Sequence, residues 1–81
     1  MNLDYKTLYG DILIFKNKND CLTINRGNNG KVDIDSIEID GEKLQYDECN
    51  YDLLSHPKNT FTSEELNYFI ENYDEIISNK Y

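Results

Sequence analysis

The sequence predicts an α+β fold, in which an antiparallel sheet of about four strands carries a C-terminal amphipathic helix on one face. Two observations lead to this prediction. Short apolar or alternating runs between residues 11 and 46 are typical of strands. From Phe61 to Ile77 the apolar residues recur every three or four positions, which is typical of a helix. Each of these elements must bury its apolar side on the other, so the 81 residues are expected to form one small domain, residues 1–81.

The first half of the chain predicts a strand hairpin. Met1 to Tyr9 fits either a short helix or an edge strand. Asp11–Lys16 is a continuous apolar run, short enough to contain a central strand, Ile12–Phe15, that is buried on both faces. After a polar turn at Asn17–Asp20, the alternation in Cys21–Asn25 predicts a second strand beside the first.

A second hairpin is predicted around Asp40-Gly41, which is the residue pair of a two-residue type I′ turn. The preceding strand, Val32–Ile39, changes its apolar positions from even to odd, so we expect a bulge near Asp35 and Ser36. The following strand is expected at Lys43–Tyr46. The register set by this turn pairs Ile37 with Leu44 and Glu38 with Lys43.

The helix has clear start signals. Thr62 and Glu65 have the spacing of a capping box, and Phe61 can pack over Leu66. Six apolar side chains then form one stripe that must lie on the sheet: Leu66, Phe69, Ile70, Tyr73, Ile76 and Ile77.

The charge balance limits the partners that this chain can have. With 16 acidic and 8 basic residues, the net charge is −8. This charge opposes phosphate backbones and anionic lipids, so direct nucleic-acid or membrane binding is not expected. It attracts basic protein surfaces and accelerates the encounter with them.

The cysteines and the hydropathy favour an intracellular protein. Cys21 and Cys49 form no CxxC pair and have no histidine at metal-ligand spacing, so two reduced thiols are expected, with a single disulfide in a secreted domain as the alternative. There is no charged and then apolar leader, and no apolar run approaches the 18 or so residues of a membrane span. We expect a cytoplasmic location.

Carboxylates are concentrated between residues 33 and 52, with Lys43 as the only base among them. The Asp-x-Asp and Asp-Gly spacings have a superficial similarity to a calcium loop. With Gly41 as the sixth loop residue, however, the ligands would lie inside a hairpin without flanking helices. No metal and no cofactor are therefore expected. The alternative is a partner-binding surface formed by Asp33, Asp35, Glu38, Asp40, Glu42, Asp47 and Glu48.

A second acidic row is predicted on the outer face of the helix. Glu64, Tyr68, Glu71 and Glu75 lie opposite the apolar stripe and extend over roughly 16 Å. Carboxylates at such intervals can stand in for the phosphates that a nucleic-acid-binding protein expects, although every helix of a soluble protein also needs a solvated face. Negative charge near the helix end opposes the helix dipole, which favours a functional role for Glu75.

Enzyme chemistry is not predicted. His56 is the only histidine and stands beside Pro57 in a polar loop, where local spacing assembles neither a nucleophile and base nor a metal cluster. Gly27 to Gly30 lacks the lysine and hydroxyl signature of a phosphate-binding loop. The seven tyrosines are typical of interfaces, which favours a binding protein.

The predicted function is therefore that of a stoichiometric inhibitor that occupies a basic, nucleic-acid-binding surface of a partner protein. The alternatives are an immunity protein that neutralises a cognate toxin, a non-catalytic subunit of a larger assembly, or a small enzyme. In size, charge and AT-rich coding bias, and in no particular residue, the chain resembles the small acidic inhibitors that bacteriophages carry against host nucleases, anti-CRISPR proteins among them. This resemblance implies a phage protein that acts as a nucleic-acid mimic in the host cytosol.

Overall fold

A computed structural model describes residues 3–44 and 53–78 and contains a five-stranded antiparallel sheet followed by two short helices. The strands are β1 (Asp4–Leu8), β2 (Asp11–Lys16), β3 (Asp20–Arg26), β4 (Val32–Ile39) and β5 (Glu42–Lys43), and they lie side by side in chain order. A 3-10 turn (Leu53–Ser55) leads to α1 (Ser63–Glu71) and α2 (Tyr73–Ser78). The α+β prediction is confirmed, with the N-terminal segment forming an edge strand.

Both predicted features of the second hairpin are confirmed. Asp40 and Gly41 have φ values of 53° and 80°, as a type I′ turn requires, and they bring Glu38 opposite Lys43. The Leu44 N–H donates to the Ile37 carbonyl at 2.8 Å, so this register continues past β5. The last part of the predicted fourth strand, residues 45 and 46, lies outside the described residues, as do Asp47 and Glu48.

The bulge in β4 is also confirmed. Thr23 of β3 lies opposite Ser36, and the next residue, Ile24, lies opposite Ile34. Asp35 is therefore the extra residue, and its insertion changes which residues of β4 face the core. Ile37 and Ile39 are buried after it, as the change from even to odd positions requires.

One prediction for β2 is wrong. This strand lies between β1 and β3, but only Ile12 and Ile14 are fully buried, whereas Leu13 and Phe15 are half-buried. The reason is that α1 and α2 lie on one face of the sheet. The other face, called here the uncovered face, has no described helix on it.

The core lies between the helices and the isoleucine-rich face of the sheet. Leu66, Phe69 and Tyr73 are buried against it, and Phe69 makes an edge contact with Tyr5 of β1 at 5.4 Å between ring centroids. The Tyr73 hydroxyl donates to the Gly10 carbonyl at the β1–β2 turn. These two contacts hold the helices against the sheet from the middle of β1 to the β1–β2 turn.

The predicted single helix is interrupted at Asn72. The capping box is present, since Thr62 Oγ1 accepts from the Glu65 N–H at 3.1 Å and Glu65 Oε1 accepts from the Thr62 N–H at 2.8 Å. At the other end, the Asn72 side chain donates to the Tyr68 carbonyl at 2.7 Å, which already accepts from the Asn72 N–H at 3.2 Å. Such bonding of an asparagine to its own helix backbone favours a local distortion.

Candidate acidic interaction surface

Every described residue of the predicted partner-binding surface is exposed to solvent. These residues are Asp33, Asp35, Glu38, Asp40, Glu42, Glu64, Tyr68, Glu71 and Glu75. Exposure alone is the ordinary state of a charged side chain, so their arrangement and their partners must distinguish a binding surface from a solvated one.

The structure divides seven of these nine residues between two sides of the sheet, whereas Asp40 lies in the β4–β5 turn and Glu42 in β5. Asp33 is paired with Asn25 and Glu38 with Cys21, which places both side chains on the uncovered face. Together with Asp35 at the bulge they are called here the hairpin group. Glu64, Tyr68, Glu71 and Glu75 are exposed along α1 and α2 and are called here the helix row. A single flat partner surface cannot contact both sets at once.

Lys16 of β2 connects the start of α1 to the sheet. Its Nζ donates to the Thr60 carbonyl at 2.6 Å and to Glu65 Oε1 at 3.0 Å, and it lies 5.7 Å from the centre of the Phe61 ring. Desolvation by itself would raise the pKa of Glu65, but the Thr62 N–H and the Lys16 charge outweigh it and the pKa is lowered. Glu65 therefore serves the helix start and not the exposed row.

Arg26 of β3 connects α2 to the sheet. Its guanidinium donates to Asp74 Oδ1 at 2.7 Å and to the Gly30 carbonyl at 2.6 Å, and it lies 5.5 Å from the centre of the Tyr73 ring. Asp74 and Glu75 lie in the first turn of α2, where the helix dipole favours a carboxylate, so the predicted dipole penalty at Glu75 is wrong. A third pair, Lys58 with Glu42 at 3.4 Å, joins the connecting segment to β5.

These three pairs use cations to hold the helix and its connection on the sheet. Within the described part of the chain, Glu64, Glu71 and Glu75 take part in no ion pair. No lysine or arginine of the described residues therefore compensates the negative charge of the helix row. An uncompensated row is available to the cations of a partner.

Asp20 is a buried carboxylate that the sequence analysis assigned only to a turn. It accepts from the Thr60 hydroxyl at 2.7 Å, from the Asp40 N–H at 3.3 Å and from the Asn17 side chain at 3.3 Å. The Thr60 hydrogen bond, with the help of these other donors and Lys16, lowers the pKa of Asp20 against the opposing effect of burial. Asp20 thereby ties the Asp40-Gly41 turn to the segment that begins the helix. No local pattern in the sequence indicates this role.

Tyr68 is more than a member of the exposed row. Its ring makes an edge contact with Phe69 at 5.2 Å, and with Glu75 it lines an open groove between the helices and β1. The groove has a volume of about 340 Å³. One end of the helix row thus has a concave shape beside it.

The described residues contain no group of three or more potential metal ligands. Among the same residues, neither helix is long and apolar enough to cross a membrane. Comparisons of the chain with protein-family models, with curated proteins and with solved structures give no match.

Proposed function

We propose that this protein is a stoichiometric inhibitor whose acidic surface occupies a basic, nucleic-acid-binding surface of a partner protein. The observation that supports the proposal is the helix row, since its three carboxylates are exposed and none is paired with a described lysine or arginine. A row of carboxylates at intervals of several ångströms can stand in for the phosphates that a nucleic-acid-binding protein expects.

The net charge of −8 supports the same proposal. Two basic residues, Lys16 and Arg26, are instead paired with Glu65 and Asp74, which do not belong to the helix row. A solvated surface that served only stability would gain from ion pairs along the helix. Here the helix row has none in the described chain, which favours a role in binding.

From the general resemblance we also propose that the protein is encoded by a phage and acts in the host cytosol. The partner is proposed to be a nuclease or another nucleic-acid-binding protein. Inhibition is by occupancy, because the protein then needs no catalytic group, metal or cofactor.

The first experiment is affinity capture from the source cells, followed by mass spectrometry and by competition between this protein and nucleic acid for the purified partner. Two double variants separate the two acidic sets: Glu64→Lys with Glu71→Lys, and Asp33→Lys with Glu38→Lys. Both change the net charge equally. We expect the helix-row variant to slow association about tenfold or more, and the hairpin variant to have a smaller effect.

The wild-type association rate should also fall steeply as salt is raised from about 50 to about 500 mM, since screening shortens the range of the field. A rate that is independent of salt and of both double variants would contradict the proposal. Capture of a toxin without affinity for nucleic acid would replace it with the immunity-protein alternative.

A further inference from the structure

The outer edge of β1 is unpaired in the described chain, because β1 is the first strand of the sheet. A two-residue turn joins β1 to β2, so the pair next to it, Leu8 with Asp11, is a hydrogen-bonded pair, and bonded and non-bonded pairs alternate from there. Tyr5 and Thr7 therefore direct their N–H and C=O groups outward. All five residues of β1 are exposed.

The same two residues direct their side chains towards the helices, where they form one wall of the groove. The other wall comes from Tyr68, Asn72, Glu75 and Ile76. Lys6 contributes to the rim, but its Nζ lies 5.8 Å from the centre of the Phe15 ring on the uncovered face. The charged side chain that faces the groove is therefore Glu75.

The groove has the chemistry of a site for a cationic side chain. Tyr5 and Tyr68 are 48% and 41% exposed, so part of each aromatic surface is open to a ligand. Glu75 is exposed and has no ion-pair partner in the described chain, and a carboxylate accepts two parallel hydrogen bonds from a guanidinium. Asn72 donates from its Nδ2 to the Tyr68 carbonyl, which leaves its Oδ1 as a further acceptor.

We propose that an extended basic segment of the partner protein adds to the edge of β1 as a further strand and places alternate arginine or lysine side chains in this groove. The backbone groups of Tyr5 and Thr7 supply the ladder of hydrogen bonds, and the groove selects the cation. Charge complementarity decides the occupant, because among the described residues the charged side chain directed into the groove is the acidic Glu75. The inference rests on the proposed function for the nature of the partner.

The test uses the full chain and a capped seven-residue peptide of alternating arginine and valine. Amide exchange at Tyr5 and Thr7 should slow about tenfold at saturation, and NMR shifts should concentrate at β1, Tyr68 and Glu75. A matched peptide that is N-methylated on the pairing edge should bind about tenfold more weakly, because methylation removes the donors of the ladder.

Two variants, each of which removes one negative charge, test where the cationic side chains of the peptide bind. Glu75→Gln should weaken binding of the peptide about five- to tenfold, whereas Asp4→Asn, which removes the same charge from the other face of β1, should change it less than about twofold. Equal effects of the two variants, shifts at the hairpin group, or the absence of peptide binding would overturn the inference. These outcomes are separate from the capture experiment, since a partner sensitive to the helix-row reversal could still fail to use the edge of β1.

Discussion

The two faces of the sheet are built from the same strands but differ in side-chain burial and in polar contacts. On the face under the helices, Ile12, Ile14 and Ile24 are completely buried. On the uncovered face, the neighbouring residues Leu13, Phe15 and Thr23 are only half-buried. The polar contacts that join distant segments also differ, since Lys16, Asp20 and Arg26 all act on the helix side.

This comparison indicates that the stability of the fold depends mainly on one face of the sheet. Burial of apolar surface supplies most of the favourable folding free energy, and here it is concentrated on one face. The uncovered face has contacts between neighbouring strands, such as the hydrogen bond of 3.1 Å from Asn25 of β3 to Asp11 of β2. Charged residues outside the helix side can therefore change with little effect on the fold.

The largest expected effect concerns one aromatic residue on each side of the sheet. Phe69→Ala should lower the free energy of unfolding by about 3–5 kcal/mol, because Phe69 is 1% exposed and its loss leaves a cavity. Phe15→Ala should cost less than about 1.5 kcal/mol, because its ring is half-buried and open to solvent. Denaturation by urea measures both. Equal losses would mean that the uncovered face is also part of the core.

Much of this fold could be predicted because its signals are local. The Asp40-Gly41 turn, the change of alternation that marks the bulge at Asp35, and the Thr62 capping box each depend on a few neighbouring residues, and each is confirmed. The helix row was predicted to be exposed for the same reason, since helical spacing fixes which residues share a face. Its role in binding stays a prediction.

The other features depend on contacts between distant segments. Asp20 and Thr60 are forty positions apart, and a buried carboxylate with four sources of stabilisation looks like an ordinary turn residue in the sequence. The burial of β2 on both faces was wrong because an apolar run does not reveal that the helices cover only one side. The groove could not be predicted either, because it needs the position of α1 and α2 relative to β1.

An intermediate effect is expected from Asp20→Asn. The variant keeps the shape but places an amide donor near the Asp40 N–H or the Thr60 hydroxyl, so we expect a loss of about 1–3 kcal/mol at neutral pH. Asp33→Asn on the uncovered face is the matched control and should change stability by less than about 0.5 kcal/mol. Urea denaturation at pH 7 compares the two.

The pH dependence of the same variants is a separate test. The pKa of Asp20 is lower in the folded protein than in the unfolded chain, so the unfolded state takes up the proton first as the pH falls. Its stabilisation is present above about pH 4, the usual range of an unfolded aspartate, and is lost as the pH falls through the lower folded pKa. Glu65 acts with the same sign. Stability should therefore depend less on pH below about 4 in Asp20→Asn than in wild type or Asp33→Asn, and an unchanged slope would contradict this.

The smallest effect is expected for the alkylation rate of Cys21, which is half-buried on the uncovered face. In a Cys49→Ser background, alkylation of Cys21 should proceed in the folded protein, so its rate should stay nearly unchanged when Phe69→Ala destabilises the core. A cysteine introduced by Leu22→Cys on the covered face should react only through unfolding and should follow stability. Desolvation, together with the charge of Glu38, raises the pKa of the Cys21 thiol. The alkylation rate of Cys21 should therefore begin to rise at a higher pH than the rate of a free thiol. If Cys21 instead followed the stability of the core as Leu22→Cys does, the uncovered face would be closed in solution, and the contrast between the two faces would not hold.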